Sequence, residues 1–144
     1  PLNLKNIKNL VVTNSIIGIW AQLDVVDIYP FTKEETSLIK AIKRLGEKDL
    51  FDSHILYNNE LITLKIAAEI RNINPNLISE KYNHLKIHSR RDILINFIEI
   101  SSLLNCSDKV KINNIMSDIE HMILIDKLEN NKQSLTDYIL KKYS

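Results

Sequence analysis

The sequence predicts an all-α fold, a compact helical bundle of about six to eight helices, and three observations carry that expectation. Apolar residues recur at three- and four-residue steps along most of the chain. Helix-start signatures, a capping hydroxyl followed three residues later by an acid, stand just ahead of several of those stripes. Only 2 glycines and 3 prolines punctuate 144 residues, too few turn formers for a sheet built of many hairpins.

The elements follow in order. Leu4, Ile7, Leu10 and Val11 form one stripe opposite lysines, as in a short leading helix over residues 3–12. Residues 13–27 carry Ile16, Ile17, Ile19, Trp20, Leu23 and Val26, apolar round most of the circumference, and Tyr29-Pro30-Phe31 ends that helix. Thr32-Lys33-Glu34-Glu35 is a capping box, Leu38, Ile39, Ile42 and Leu45 are its stripe, and Gly46 stands at the C-terminal cap. Between Asp52 and Ile73 a helical period persists, and Tyr57-Asn58-Asn59 leaves open whether it is one helix or two. Asn74-Pro75 reads as a cap followed by proline at the first helical position.

Ser89, with Asp92 three residues on, reads as the cap of a very apolar helix through Ile93, Leu94, Phe97, Ile98, Ile100 and Leu104, expected to lie inside the bundle. A polar turn and an amphipathic helix over 111–123 follow. Asp126 to Asn131 is a polar linker, and Ser134-Leu135-Thr136-Asp137 opens a last short helix whose end, Lys141-Lys142, suits a helix C-terminus.

At 144 residues and 44% hydrophobic, the chain is expected to form a single helical domain, 1–144, with a core that needs neither metal nor disulfide. Nineteen basic and 18 acidic residues, interleaved along the chain, give a net charge of +1, which argues against a dedicated nucleic-acid binder and for no nucleic acid as partner. One cysteine, Cys106, forbids an internal disulfide and favours a reducing cytoplasm. The longest apolar run, 15–29, is broken by Gln22, Asp24 and Asp27 and is too short to span a bilayer.

One plan occurs twice: an apolar helix, a polar turn, an amphipathic helix. The two pseudo-repeated helical hairpins, 15–45 and 91–123, are expected to stand around two central apolar helices. The first turn offers Asp27, Phe31, Thr32 and Glu35, and the second Cys106-Ser107-Asp108, Val110 and Asn114. On these residues the chain resembles the tellurite-resistance protein B (TerB-like) helical domains. Each half of that family has an apolar helix ending in Ala-Asp-Gly, then a hydrophobic residue, a Ser or Thr cap and a Glu. With Phe31 in register, Ile28 and Tyr29 take the Asp-Gly places; with Val110 in register, Ser107 and Asp108 take them, and Asn114 replaces the Glu. The resemblance implies a stress-associated scaffold or adaptor, metal-binding or membrane-peripheral in some settings, and the missing acids bear directly on the metal role.

Four candidate sites follow. Asp24, Asp27, Glu34 and Glu35 offer an oxygen cluster for a hard cation, whereas helix electrostatics and the capping box give Glu34 and Glu35 a purely structural role. His84 and His88 share a helical spacing, but Ser89 reads as a cap that puts His88 in a turn, with no further ligand nearby. Lys86, Arg90 and Arg91 form the basic segment that would meet an anion, or else a solvated face. Tyr29 and Phe31 are candidate partner-binding aromatics if exposed, core-edge residues if not. No glycine-rich phosphate loop, HExxH or GxSxG occurs. The expected function is thus a non-enzymatic binding or adaptor module without cofactor, acting on a protein partner, with peripheral membrane contact as an added role. The alternative from another class is a viral helical regulator resembling the apoptosis-regulator bundles, or a toxin-neutralising immunity protein.

Overall fold

Eight α-helices, a single 3-10 turn and no strand run through residues 10–23 and 30–144, which are the residues that a computed structural model of the chain describes. The all-α expectation is met. The chain divides into two compact units, Pro1–His84 and Leu85–Ser144.

The first unit holds α1 (Ile16–Ala21), α2 (Lys33–Leu45), α3 (Ser53–Asn58), α4 (Leu61–Ile70) and α5 (Pro75–Asn83). Helix α1 begins three residues after the expected start because Ser15 caps it, its hydroxyl accepting from the Ile17 amide, while the buried Thr13 hydroxyl donates to the Ser15 carbonyl. The expected leading helix is not formed at Leu10–Val12; the Gln22 side chain instead takes both backbone groups of Val11, at 2.8 and 2.7 Å. Residues 3–9 of that helix and 24–27 of the next lie outside the described residues.

The Thr32 capping box is complete: the Glu35 amide donates to the Thr32 hydroxyl at 3.1 Å and the Thr32 amide to Glu35 Oε1 at 3.0 Å. Thr32→Ala is expected to lower the stability of this unit by about 1 kcal/mol, read as a shifted urea midpoint in the fluorescence of Trp20. Gly46 closes α2 at φ 47°. Two helices occupy the stretch left open by the sequence, because the Asn59 side chain caps the Ile55 carbonyl at 2.8 Å and ends α3. Asn74 caps α5 with Pro75 at its first position, as expected.

Helix α1 packs on α2 and α4, α2 on α4, and α5 on α3 and α4. Ile17, Ala21, Ile39, Ile42 and Ile66 form a shared core edged by Trp20, Phe31, Leu38 and Ile70. Each fully buried isoleucine or leucine, such as Ile39 or Leu64, contributes about 2 kcal/mol.

In the second unit the Ser89 capping box exists, but it opens a 3-10 turn, Arg90–Asp92, and not the long helix. Residues 93–95 form a bend outside any helix, entered through the extended backbone of Ile93, with Ile93 and Ile95 buried and Leu94 56% exposed. Asn130 holds them so: its Oδ1 accepts from the Leu94 amide at 3.0 Å and its Nδ2 donates to the Asp92 carbonyl at 2.7 Å. Helix α6 therefore spans only Phe97–Leu104, capped by Asn96, and its Ile98 is 73% exposed, so this helix is not wholly interior. Asn105 ends it in the left-handed region.

Helix α7 (Lys109–Leu124), capped by Asp108, buries Ile112, Ile115, Met116, Ile119 and Ile123 at helical spacing. Helix α8 (Lys132–Tyr143) starts ahead of the expected Ser134 signal because Asn131 is its cap, accepting from the Ser134 amide at 2.8 Å. Helix α6 packs on both α7 and α8. One hairpin of the repeated plan falls in each unit: α1–α2 in the first, α6–α7 in the second. No helix among the described residues is long and apolar enough to cross a membrane.

Candidate functional site

Asp24, Asp27 and Tyr29 lie outside the described residues. Of the remaining acids in that candidate site, Glu35 is engaged in its capping box, and Glu34 stands exposed on the first turn of α2. Among the described residues no three His, Cys, Asp or Glu side chains come together as a metal would need. Phe31 is half-buried and meets Trp20 edge-on, ring centres 5.9 Å apart at 66°, so it serves the core of its own unit. His84 caps α5, its Nδ1 2.7 Å from the Glu80 carbonyl, and His88 lies in the following loop.

The basic segment is largely committed within the second unit. Lys86 Nζ lies 2.8 Å from Asp126, whose carboxylate raises the ammonium above its ordinary range. Arg90 spreads its guanidinium over α7: Nε to Glu120 at 2.5 Å, Nη2 to the Ser117 hydroxyl at 2.8 Å, Nη1 to Asn113 at 3.4 Å. That fork docks the 3-10 turn onto the helix. Arg91 is exposed.

The strongest polar cluster was not foreseen from the sequence. Asp118 on α7 accepts from Tyr143 Oη at 2.6 Å, Tyr138 Oη at 2.7 Å and Lys142 Nζ at 3.0 Å, all three from α8. The Lys142 ammonium also lies 5.6 and 5.5 Å from the two tyrosine ring centres. Burial opposes the Asp118 charge, but the hydrogen bonds from Tyr143, Tyr138 and Lys142 outweigh it and hold the carboxyl below its usual range. Burial and the adjacent carboxylate push the Tyr143 phenol up to about 12. The sequence separations of 20 and 25 residues leave no local signal, and only the topology brings the groups together. Chemically this is a clamp between two helices.

A groove of about 830 Å³ lies in the first unit between α2 and the α3–α4 corner, lined by polar and apolar residues in near-equal measure. Lys33 and Arg44 of α2 and Lys48 just beyond it line the groove together with Asn58, Asn59 and Thr63. Glu34 and Glu60 also reach it, so cations outnumber carboxylates by three to two. It holds none of the site residues expected from the sequence except Glu34.

No family model matches the chain, and no solved structure does. Curated proteins do. The CCA-adding enzyme of Streptococcus pneumoniae (strain CGSP14) is 29% identical over 114 residues, covering 76% of this chain and 28% of that enzyme. The CCA-adding enzymes of serotype 19F (strain G54) and strain R6 are 28% identical over 114 residues, with the same coverage. The chain thus spans little more than a quarter of the length of the curated relatives it matches.

Proposed function

We propose that the chain is a non-enzymatic helical module, the counterpart of one segment of a CCA-adding enzyme, and that it supports CCA addition carried out by residues beyond this segment. The observation that carries this reading is the similarity over 114 aligned residues, which covers 76% of the chain. The use of charge agrees with it: Arg90, Asp118, Lys142 and the cap residues Asp52 and Asp108 all serve helix ends or helix–helix contacts, the work of a scaffold. A reducing cytoplasm is its proposed compartment, which suits the free Cys106.

The test is a chimera in which this chain replaces the aligned segment of the Streptococcus pneumoniae enzyme, assayed for CCA addition. Activity within about tenfold of the parent, roughly 1.4 kcal/mol in the barrier, is the expected result. A folded chimera without activity overturns the proposal.

A second reading, the TerB-like adaptor with a protein partner, is favoured by one observation: Leu94, Ile98 and Val110 of the second unit are large apolar residues left exposed. An adaptor would give the folded but inactive chimera.

A further inference from the structure

We propose that the groove of the first unit is a self-association surface, in which α2 of a second copy of this chain lies antiparallel to α2 about a two-fold axis. The proposal stands on the groove itself and does not depend on the kinship with CCA-adding enzymes.

A two-fold interface must be complementary to itself, so that whatever residue i of one copy meets, residue i of the other meets in return. On antiparallel helices this sets opposite charges at equal distances from the axis. The stripe of α2 that lines the groove has that symmetry. Glu34, Ser37, Ala41 and Arg44 all line it and fall within an arc of about 80° on the helix. Glu34 and Arg44 stand equally far on either side of Ile39, and so do Ser37 and Ala41. With the axis at the level of Ile39, Glu34 of each copy meets Arg44 of the other, and the two ion pairs lie about 15 Å apart along the helices. Ser37 meets Ala41 between them, and these short side chains let the two helices approach.

An acid in the first turn and a base in the last suit the dipole of any helix, so the charges by themselves imply no partner. The groove supplies the second observation. Beyond α2 it is lined by Ile55 and by Ile62, and Ile62 is 54% exposed although Leu64 and Ile66 of the same helix are buried. A second α2 laid along the groove covers that apolar surface. Glu34 and Arg44 are both exposed, and neither forms an ion pair among the described residues. The Arg44 Nε donates over 3.4 Å to the Lys40 carbonyl of its own helix, a long bond that a carboxylate readily replaces.

Charge also selects the occupant and its direction. The groove mixes both signs, so a ligand of one sign meets repulsion along part of its length, whereas a copy of α2 running antiparallel finds Glu34 and Arg44 both answered. A parallel copy would set Glu34 against Glu34 and Arg44 against Arg44, which excludes that arrangement. Burial of Ile62 and its neighbours supplies the affinity, and the two ion pairs fix the register.

The experiment is sedimentation equilibrium of the whole chain over a range of concentrations, with circular dichroism to check that each variant keeps its helices. A monomer–dimer equilibrium is expected. Glu34→Arg and Arg44→Glu are each expected to raise its dissociation constant about tenfold, because each sets like charges together at two symmetric places. The double variant Glu34→Arg/Arg44→Glu is expected to return it to within about threefold of the original, since both pairs form again with their signs exchanged. Lys127→Ala in the second unit is expected to change nothing. Should charge reversal unfold α2, Ile62→Ser, at an exposed position on another helix, is expected to weaken the dimer about tenfold and carries the test. A chain that sediments as a monomer throughout, a dimer indifferent to Glu34→Arg and Ile62→Ser alike, or single reversals that weaken it and a double that does not restore it overturns the proposal.

Discussion

Gly18→Ala is expected to lower the unfolding free energy of the first unit by about 2 kcal/mol, although alanine is the better helix former. Gly18 lies buried in α1, where a Cβ would stand 2.3 Å from Thr13 Oγ1, 2.8 Å from Ile66 Cγ2 and 2.9 Å from Thr13 Cβ. None of these neighbours yields easily. Thr13 is 8% exposed and donates its hydroxyl to the Ser15 carbonyl, and Ile66 is a core residue of α4. Overpacking costs about 1–3 kcal/mol, and three contacts below 3.0 Å put Gly18 at the upper end, so that after alanine's propensity recovers about 1 kcal/mol a loss of about 2 remains. Because Trp20 lies two residues away and is the sole tryptophan, urea unfolding followed by its fluorescence measures the loss directly. Thr13→Ala combined with Gly18→Ala is expected to recover part of it, because the closest contact is to the hydroxyl.

Asp118→Ala is expected to cost about 2–3 kcal/mol in the second unit, since it leaves two half-buried phenols and an ammonium without their common acceptor. Tyr138→Phe and Tyr143→Phe are each expected to cost about 1 kcal/mol, the value of one donor to a carboxylate that keeps its others. The clamp also fixes how stability depends on pH. The Asp118 carboxyl is held below its ordinary value of 3.8, so its contribution is present above that value and is lost as pH falls through the lower folded pKa. The Tyr143 phenol is raised from 10.0 to about 12, so its contribution is complete below pH 10 and disappears as pH rises towards 12. Far-UV circular dichroism across both windows checks the pair of slopes, and Asp118→Asn is expected to flatten the acid one.

Local chemistry made much of the fold legible. The Thr32 box, Gly46 at positive φ and the Asn74-Pro75 start each settle one helix end through groups a few residues apart, so sequence order is enough to read them. The Ser89 box was legible too, but what followed it was not. A continuous run of Ile93, Leu94 and Ile95 fits a helix or a non-helical segment equally well, and the choice was made by Asn130, 36 residues later. A second signal stood in the sequence: Asn96 with Glu99 three residues on is a helix start, and it marks where α6 begins.

The candidate site was less legible for the same reason. Arg90 finds Glu120 across 30 residues, so a segment that looked like a free basic patch is bound to α7. Gly18 carries no local cue that Thr13 and Ile66 close over it. Lys33 and Thr63 line the same groove, a relation that no helical or strand period encodes. Caps are local and therefore readable, whereas clamps and grooves belong to the tertiary arrangement.

The measurement that tests the central claim most directly is an experimental structure of the aligned segment of the Streptococcus pneumoniae CCA-adding enzyme, superposed on this chain one unit at a time. The account predicts the same succession of helices, with starts at the positions aligned to Thr32, Asn74, Asn96 and Asp108. Strands within the aligned region, or a different helix order, would contradict it.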